Sequence, residues 1–125
     1  MSAAVFWAGL AALVWLVLFQ LLLALGLPLG RMAWGGGARV LSRPRRIASL
    51  VSAFVILFFA LVLGQAGGVL VALPSVLFPA APWVGLMLFT LSLAGNLASK
   101  SRVERLHGVP LALVVVIAFL SVTLG

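Results

Sequence analysis

Charge placement constrains this chain more than any other feature of its sequence. All eight Lys and Arg residues fall in two short segments, and the sequence between and beyond them is apolar and almost uncharged. Apolar stretches of about 20 residues are long enough to cross a bilayer as helices. The pattern therefore predicts membrane-spanning helices joined by two charged connections. The basic residues are Arg31, Arg39, Arg43, Arg45 and Arg46 in the first connection, and Lys100, Arg102 and Arg105 in the second.

Composition leads independently to the same fold class. The chain is 66% hydrophobic and 7% charged, with a mean hydropathy of +1.39, whereas soluble domains are about a quarter charged. We predict an all-α integral membrane bundle of four transmembrane helices, forming a single domain over residues 1–125. The predicted spans cover about residues 3–25, 47–66, 80–99 and 106–124, and a Gly/Arg-rich interfacial loop joins the first two.

Orientation follows from the same charges. Lys and Arg near the ends of spans are retained on the cytoplasmic side of a membrane. The connection between the second and third spans, from about Gln65 to Pro82, carries no charge. We therefore expect both basic connections inside and both chain termini outside.

The first two spans each allow an alternative interpretation. A cleavable signal peptide competes with the first span, but that stretch lacks a basic n-region and exceeds the usual apolar length of about 7 to 15 residues. Glycines from Gly64 to Gly68 weaken the second span. This helix either stops at the glycines or continues until Pro74.

The fourth span has two possible starting points. Counted from Leu111 to Leu124 it is about 21 Å long, which is too short for a hydrocarbon core of about 30 Å. Ser101 and Glu104 have the spacing of a capping box, which would start the helix near Arg102. The helix would then pass through Pro110 with a kink, as membrane helices tolerate when neighbouring groups satisfy the freed carbonyl.

Three polar residues in or beside the spans are candidates for an intramembrane site: Gln20, Gln65 and Asn96. With the fourth span counted from Leu111, the spans contain no ionisable residue, which argues against a proton-coupled pump. An amide in hydrocarbon needs hydrogen-bond partners. Asn96 is accordingly either a clasp between helices or a ligand contact that opens to the cytoplasmic side.

Glu104 and His107 form a Glu-x-x-His pair on one helical face. A di-iron bundle needs two such pairs and further carboxylates, and Glu104 is the only acidic residue of the chain. We expect Glu104 to pair with a neighbouring Lys or Arg or to cap its helix. The chain also lacks cysteine, and we predict no metal, no cofactor and no catalytic residue.

The basic connections suit the headgroup layer of a membrane. Trp34 and the run Gly35-Gly36-Gly37 lie among the arginines of the first connection, and Trp and Arg side chains favour the interface. Juxtamembrane basic clusters bind anionic lipids. We therefore predict that Trp34 and the eight basic residues contact lipid headgroups or a protein partner, and not nucleic acid.

Small residues at four-residue spacing predict close helix packing. The two rows are Ala4, Ala8 and Ala12 on the first helix, and Thr90, Ala94 and Ala98 on the third.

Five short segments and one proline follow one another along the chain: Gly26-Leu27-Pro28-Leu29-Gly30, Ala33-Trp34-Gly35-Gly36, Arg46-Ile47-Ala48-Ser49, Asn96-Leu97-Ala98-Ser99-Lys100-Ser101, Glu104-Arg105 and Pro110. In this order they resemble a group of small bacterial four-span integral membrane proteins of uncharacterised function. The resemblance covers most of the chain, and it implies the inner (cytoplasmic) membrane of a bacterium and no catalytic residue. It also implies that the loop around Trp34 and the segment from Asn96 to Arg105 work together.

These observations favour a non-catalytic membrane component. It would be an accessory or regulatory subunit, or a homo-oligomer, that contacts anionic lipid headgroups. The alternative is a small transporter or channel for a neutral or anionic solute, lined by Asn96, Gln20 and Gln65. A lipid-modifying enzyme ranks third, because it would have to work with Glu104 and His107 alone.

Overall fold

The computed structural model describes residues 1–125 and contains four α-helices and no strands. Each helix is long and apolar enough to cross a membrane, and the predicted all-α membrane bundle is confirmed. Three single turns of 3₁₀-helix lie in the connections. The helices are α1 (Ala3–Ala24), α2 (Arg43–Ala66), α3 (Ala80–Ala98) and α4 (Arg102–Leu124).

Local capping explains where α2 begins and ends. The helix starts at Arg43, before the predicted start of the span, because Pro44 occupies its first turn, where a missing N–H costs nothing. It ends at Ala66, followed by Gly67, and therefore does not continue to Pro74. The following segment folds back onto the helix, and the side chain of Leu70 packs against Gly64.

Helix α4 takes the earlier of its two possible starts. Ser101 is its N-cap, and the Ser101 hydroxyl accepts a hydrogen bond from the backbone N–H of Glu104 at 3.2 Å. The helix runs through Pro110 to Leu124. The first two turns of α4 therefore contain four ionisable residues, Arg102, Glu104, Arg105 and His107. The expected absence of ionisable residues holds only for the part of α4 from Leu111 onward.

The helices pack as two antiparallel hairpins joined through α1 and α4. Helix α1 packs along α2 and α4, α3 packs along α4, and α2 makes far fewer contacts with α3. The largest buried cluster includes Phe59, Phe89 and Phe119. The rings of Phe89 and Phe119 stack at 5.9 Å, and Phe59 meets both edge-on.

A glycine outside the predicted rows of small residues makes the close contact between α1 and α4. Gly9 of α1 is buried against Ala118 of α4. Ala4 and Ala8 are exposed, as are all three residues of the α3 row. Only Ala12 of the predicted rows is buried. The rows therefore lie mainly on the outer surface of the chain.

The two ends of the bundle differ in chemistry. We call the end formed by residues 25–42 and 99–101 the basic end, because these connections and the adjoining first turns of α2 and α4 carry all the basic residues. The opposite end, which we call the neutral end, holds residues 67–79 and both chain termini.

Candidate functional site

The first connection is a folded part of the molecule. Ala33 and Leu41 from this loop are buried against Phe19 and Leu23 of α1 and form a second, smaller apolar cluster. The backbone N–H of Gly30 donates to the carbonyl of Arg39 at 2.7 Å, which closes the loop on itself. The loop therefore covers the basic end of the bundle as an ordered layer.

Trp34 is held in this layer by two hydrogen bonds. Its indole N–H donates to the hydroxyl of the fully buried Ser49 at 2.9 Å, and its carbonyl accepts from Arg45 at 3.1 Å. Its backbone lies in the left-handed region, with φ at +52°, which is uncommon for a bulky residue. These contacts give Trp34 a structural role in addition to the predicted interfacial one.

The loop is also fastened to the start of α4. The backbone N–H of Gly35 donates to the carboxylate of Glu104 at 3.3 Å. The hydroxyl of Ser101 donates to the carbonyl of Arg31 at 2.6 Å. Within the second connection, Arg105 of α4 donates to the carbonyl of Ser99. We expected Glu104 to pair with a neighbouring basic residue or to cap its helix, but its carboxylate accepts from the loop backbone. The two segments that the resemblance links are in contact.

Beneath the loop, a cavity of ≈ 440 Å³ lies between all four helices. Met32 to Gly35 cover it, and the aromatic cluster around Phe89 closes it toward the neutral end. Its lining contains the only acidic residue of the chain and none of the eight basic residues. The polar residues that line it are Gln20, Ser52, Ser92, Asn96, Ser99, Glu104 and His107.

Two of the three predicted intramembrane polar residues meet in this cavity. The amide N–H₂ of Asn96 donates to the carbonyl of Ser92 at 2.9 Å, and the amide packs directly on Gly108 of α4. The side-chain oxygen of Gln20 is buried and has no hydrogen-bond partner. Gln20 therefore lines the cavity with its side chain, but this oxygen itself has almost no accessible surface.

Gln65, the third predicted residue, lies toward the neutral end and does not share the cavity. Its side-chain oxygen accepts from the backbone N–H groups of Ala72 and Leu73 at 3.0 and 2.9 Å. Its amide N–H₂ donates to the carbonyl of Leu73 at 3.0 Å. Gln65 therefore organises the turn after α2.

His107 extends an aromatic wall on one side of the cavity. The indole N–H of Trp15 donates to Nε2 of His107 at 2.8 Å, so Nε2 acts as an acceptor. The ring of Phe19 lies 4.5 Å from the His107 ring, centroid to centroid. The ring nitrogen nearest α1 is consequently already bonded within the chain.

The basic side chains divide into bound and free groups. Arg46 donates to the carbonyl of Ala24, and Arg31 to that of Gly36. Arg43 and Arg46 also line a second, shallow hollow of ≈ 320 Å³ with Ala24, Ile47 and Leu50. The side chains that are exposed to solvent or lipid include those of Arg39, Arg43, Lys100 and Arg102.

Some residues of the site could not be recognised in the sequence. Ser49 and the Trp15–His107 pair carry no local signal, because their hydrogen bonds join residues 15 and 92 positions apart. Ser52 only lines the cavity and has no motif around it. No group of three or more His, Cys, Asp or Glu side chains is arranged to hold a metal ion. Comparisons with protein-family models, with curated proteins and with solved structures found no match to this chain.

Proposed function

We propose that this chain is a non-catalytic, multi-pass protein of the bacterial inner membrane that binds anionic lipid headgroups at its basic end. In this orientation the basic end faces the cytoplasm and both termini lie outside. The proposal follows from the positive-inside rule and from the attraction of basic clusters to the anionic inner leaflet. It assigns the arginines a binding role and assigns no chemistry to the spans.

One observation carries the lipid assignment. Arg43 and Arg46 line a hollow whose other residues, Ala24, Ile47 and Leu50, are apolar. Two guanidinium groups above an apolar helix surface suit a lipid phosphate whose acyl chains continue along α1 and α2. Arg46 is positioned by its bond to the carbonyl of Ala24, and the exposed Arg43 remains available to the phosphate.

Substitution of Arg43 tests this assignment. Arg43→Gln should lower the retention of phosphatidylglycerol over phosphatidylcholine by about fivefold, since one basic contact with an anionic surface contributes roughly 1 kcal/mol. Arg102→Gln removes the same charge away from the hollow and serves as the matched control. Native mass spectrometry of the purified chain would count the retained lipids. Equal losses in both variants would mean that diffuse charge, and not the hollow, holds the lipid.

The proposed role in a larger assembly is that of an accessory subunit or a homo-oligomer. Thr90, Ala94 and Ala98 form an exposed row of small residues on α3, and such rows permit close approach of another membrane helix. Crosslinking from Cys introduced at Ala94 in native membranes tests the role. A product at twice the chain mass indicates a second copy, and a heavier mixed product indicates a different partner.

A small transporter for a neutral solute is the second candidate. Gln20 and Asn96 line the same cavity, as a solute path requires. The packed rings of Phe59, Phe89 and Phe119 close the cavity toward the neutral end, so transport would require these rings to part. Glycerol release from proteoliposomes containing the purified chain would support this candidate, and release at the rate of empty liposomes would reject it.

A further inference from the structure

We propose that the cavity beneath the loop binds an organic ammonium group, with Glu104 as its counter-ion. The group belongs either to a small soluble amine or to the headgroup of an ethanolamine phospholipid. This site is distinct from the arginine hollow that carries the proposed function, and the two sites would recognise opposite charges. The inference therefore does not depend on anionic lipid binding at the basic end.

Electrostatic composition is the first argument. The cavity lining contains Glu104 and none of the eight basic side chains, although the chain carries a net charge of +7. The side chain of Glu104 is only 8% exposed, and burying a carboxylate is costly unless the charge is paired. One oxygen of Glu104 accepts from Gly35. The other oxygen remains available to a ligand.

The hydrogen-bonding inventory is the second argument. Three donors around the cavity are already used: the indole N–H of Trp34, the backbone N–H of Gly35 and the amide of Asn96. The second oxygen of Glu104, in contrast, accepts from no group in the chain. A ligand that pairs with this oxygen must supply an N–H or O–H group, and an ammonium has three N–H donors.

Aromatic rings provide the third argument. Phe19, Trp34 and Phe89 line the same cavity as the carboxylate. Ring faces attract cations most strongly where water is excluded. Aromatic rings combined with a single carboxylate favour an ammonium over a neutral hydroxyl of the same size.

The packing of α2 and α3 gives the ligand a route of entry. These helices meet at the edge-to-face contact of Phe59 and Phe89 and make few other contacts. Toward the basic end, Ser52 of α2 and Ser92 of α3 line the cavity, and neither is buried. The lining residue Gly95 would have no atom within 4 Å of an added Cβ. The cavity therefore opens sideways between α2 and α3, on the side of the bundle toward the basic end.

Titration with ethanolamine tests the chemistry of the site. The purified full-length chain would be placed in nanodiscs of phosphatidylcholine and phosphatidylglycerol and followed by tryptophan fluorescence, because Trp34 lines the cavity. Ethanolamine should give saturable binding, and ethylene glycol, in which a hydroxyl replaces the ammonium, should bind at least about tenfold more weakly. Equal responses to the two probes would overturn the proposal.

Two variants locate the binding in the cavity. Glu104→Gln removes the charge and retains an oxygen that can accept from Gly35. Gly95→Leu places a large side chain at a lining position where an added Cβ meets no atom within 4 Å. Each should weaken ethanolamine binding at least about tenfold. Gly37→Leu is the matched control, because Gly37 also has open space around it, has an ordinary φ of −72° and does not line the cavity. Unchanged affinity in both cavity variants would contradict the site.

A lipid-retention experiment decides whether the ammonium group belongs to a lipid or to a soluble amine. Nanodiscs of equal phosphatidylethanolamine, phosphatidylcholine and phosphatidylglycerol would be analysed by native mass spectrometry of the released chain. Retention of phosphatidylethanolamine that Gly95→Leu abolishes indicates a lipid headgroup. Binding of free ethanolamine without such retention indicates a soluble amine. If the unmodified chain neither retains phosphatidylethanolamine nor binds ethanolamine, the proposal is overturned. Arg43→Gln should leave ethanolamine binding unchanged, which separates failure of this site from failure of the arginine hollow.

Discussion

At the scale of single residues, the contact of Gly9 with Ala118 sets the distance between α1 and α4. A Cβ added at Gly9 would lie 2.5 Å from the Cβ of Ala118 and 3.3 Å from a methyl group of Leu63. A Cβ atom cannot rotate out of the way as a long side chain can. The two helices would therefore have to separate to accommodate any larger residue.

We expect Gly9→Ala to destabilise the bundle by about 1 to 3 kcal/mol through overpacking. Gly95→Ala is the matched control, because it adds the same methyl group to a helix where no atom lies within 4 Å. The control should be neutral or stabilising, since Ala favours helix over Gly. Thermal unfolding of both variants in detergent provides the comparison, and equal behaviour would contradict the packing described for α1 and α4.

Trp34 and Ser49 form a hydrogen-bonded pair at the basic end. Trp34→Phe keeps the ring but removes the N–H donor, and it leaves the fully buried hydroxyl of Ser49 without this partner. The loss should be about 1 to 3 kcal/mol. In the Trp34→Phe, Ser49→Ala double variant the hydroxyl is removed as well, and most of the stability should return. A double-mutant cycle by thermal unfolding measures the coupling, and additive losses would show that the bond contributes nothing.

At the scale of elements, Ser101 connects the start of α4 to the loop. Its hydroxyl caps the helix through Glu104 and also donates to the carbonyl of Arg31. The reciprocal half of the capping box is absent, because the N–H of Ser101 donates to Ser99 and the carboxylate of Glu104 binds Gly35. The capping-box spacing therefore supplies one local cap and one tertiary contact.

Ser101→Ala should accordingly loosen two elements together. Loss of an N-cap costs about 1 kcal/mol, and hydrogen exchange should accelerate both at the start of α4 and in residues 31–36. Ser42 provides the control, since it precedes α2 in the same position but makes no side-chain capping bond. Ser42→Ala should leave exchange unchanged. Acceleration limited to the start of α4 would mean that the loop is held without Ser101.

At the scale of the whole molecule, the bundle consists of two unlike halves. The half toward the neutral end is filled by the large apolar cluster that contains Leu13, Leu63 and Phe119. The half toward the basic end contains the polar cavity and the ordered loop above it. Packed aromatic rings consequently block a ligand in the cavity from passing on toward the neutral end.

Accessibility of single cysteines tests the proposed orientation of the whole molecule. The chain contains no cysteine, so only the introduced cysteine can react with the thiol reagent. Cysteines at Ser2 and Ser75 should react with an impermeant thiol reagent in intact cells, and cysteines at Gly37 and Ser42 should react only after permeabilisation. All four native residues are exposed, so burial does not explain protection. The reverse pattern would place the basic end outside.

The sequence alone determined the features that depend on local composition. Four apolar stretches predicted four helices because the hydrophobic length of each stretch decides whether it can cross a bilayer. The Ser101-x-x-Glu104 spacing indicated the correct start of α4 because capping involves only neighbouring residues. Gln20 and Asn96 stood out because amides are costly in hydrocarbon wherever their helices pack.

Only the tertiary structure decided which of these polar groups meet. One cavity is lined by Gln20, Asn96 and Glu104, whereas the side chain of Gln65 binds the turn that follows its own helix. Gly35 and Glu104 are in contact although they are 69 positions apart. Such pairings depend on the rotation of each helix about its axis, which is set by close contacts such as that of Gly9 with its neighbour. Almost uniformly apolar helices carry little amphipathic pattern that would reveal this rotation, so the cavity could not be predicted from the sequence.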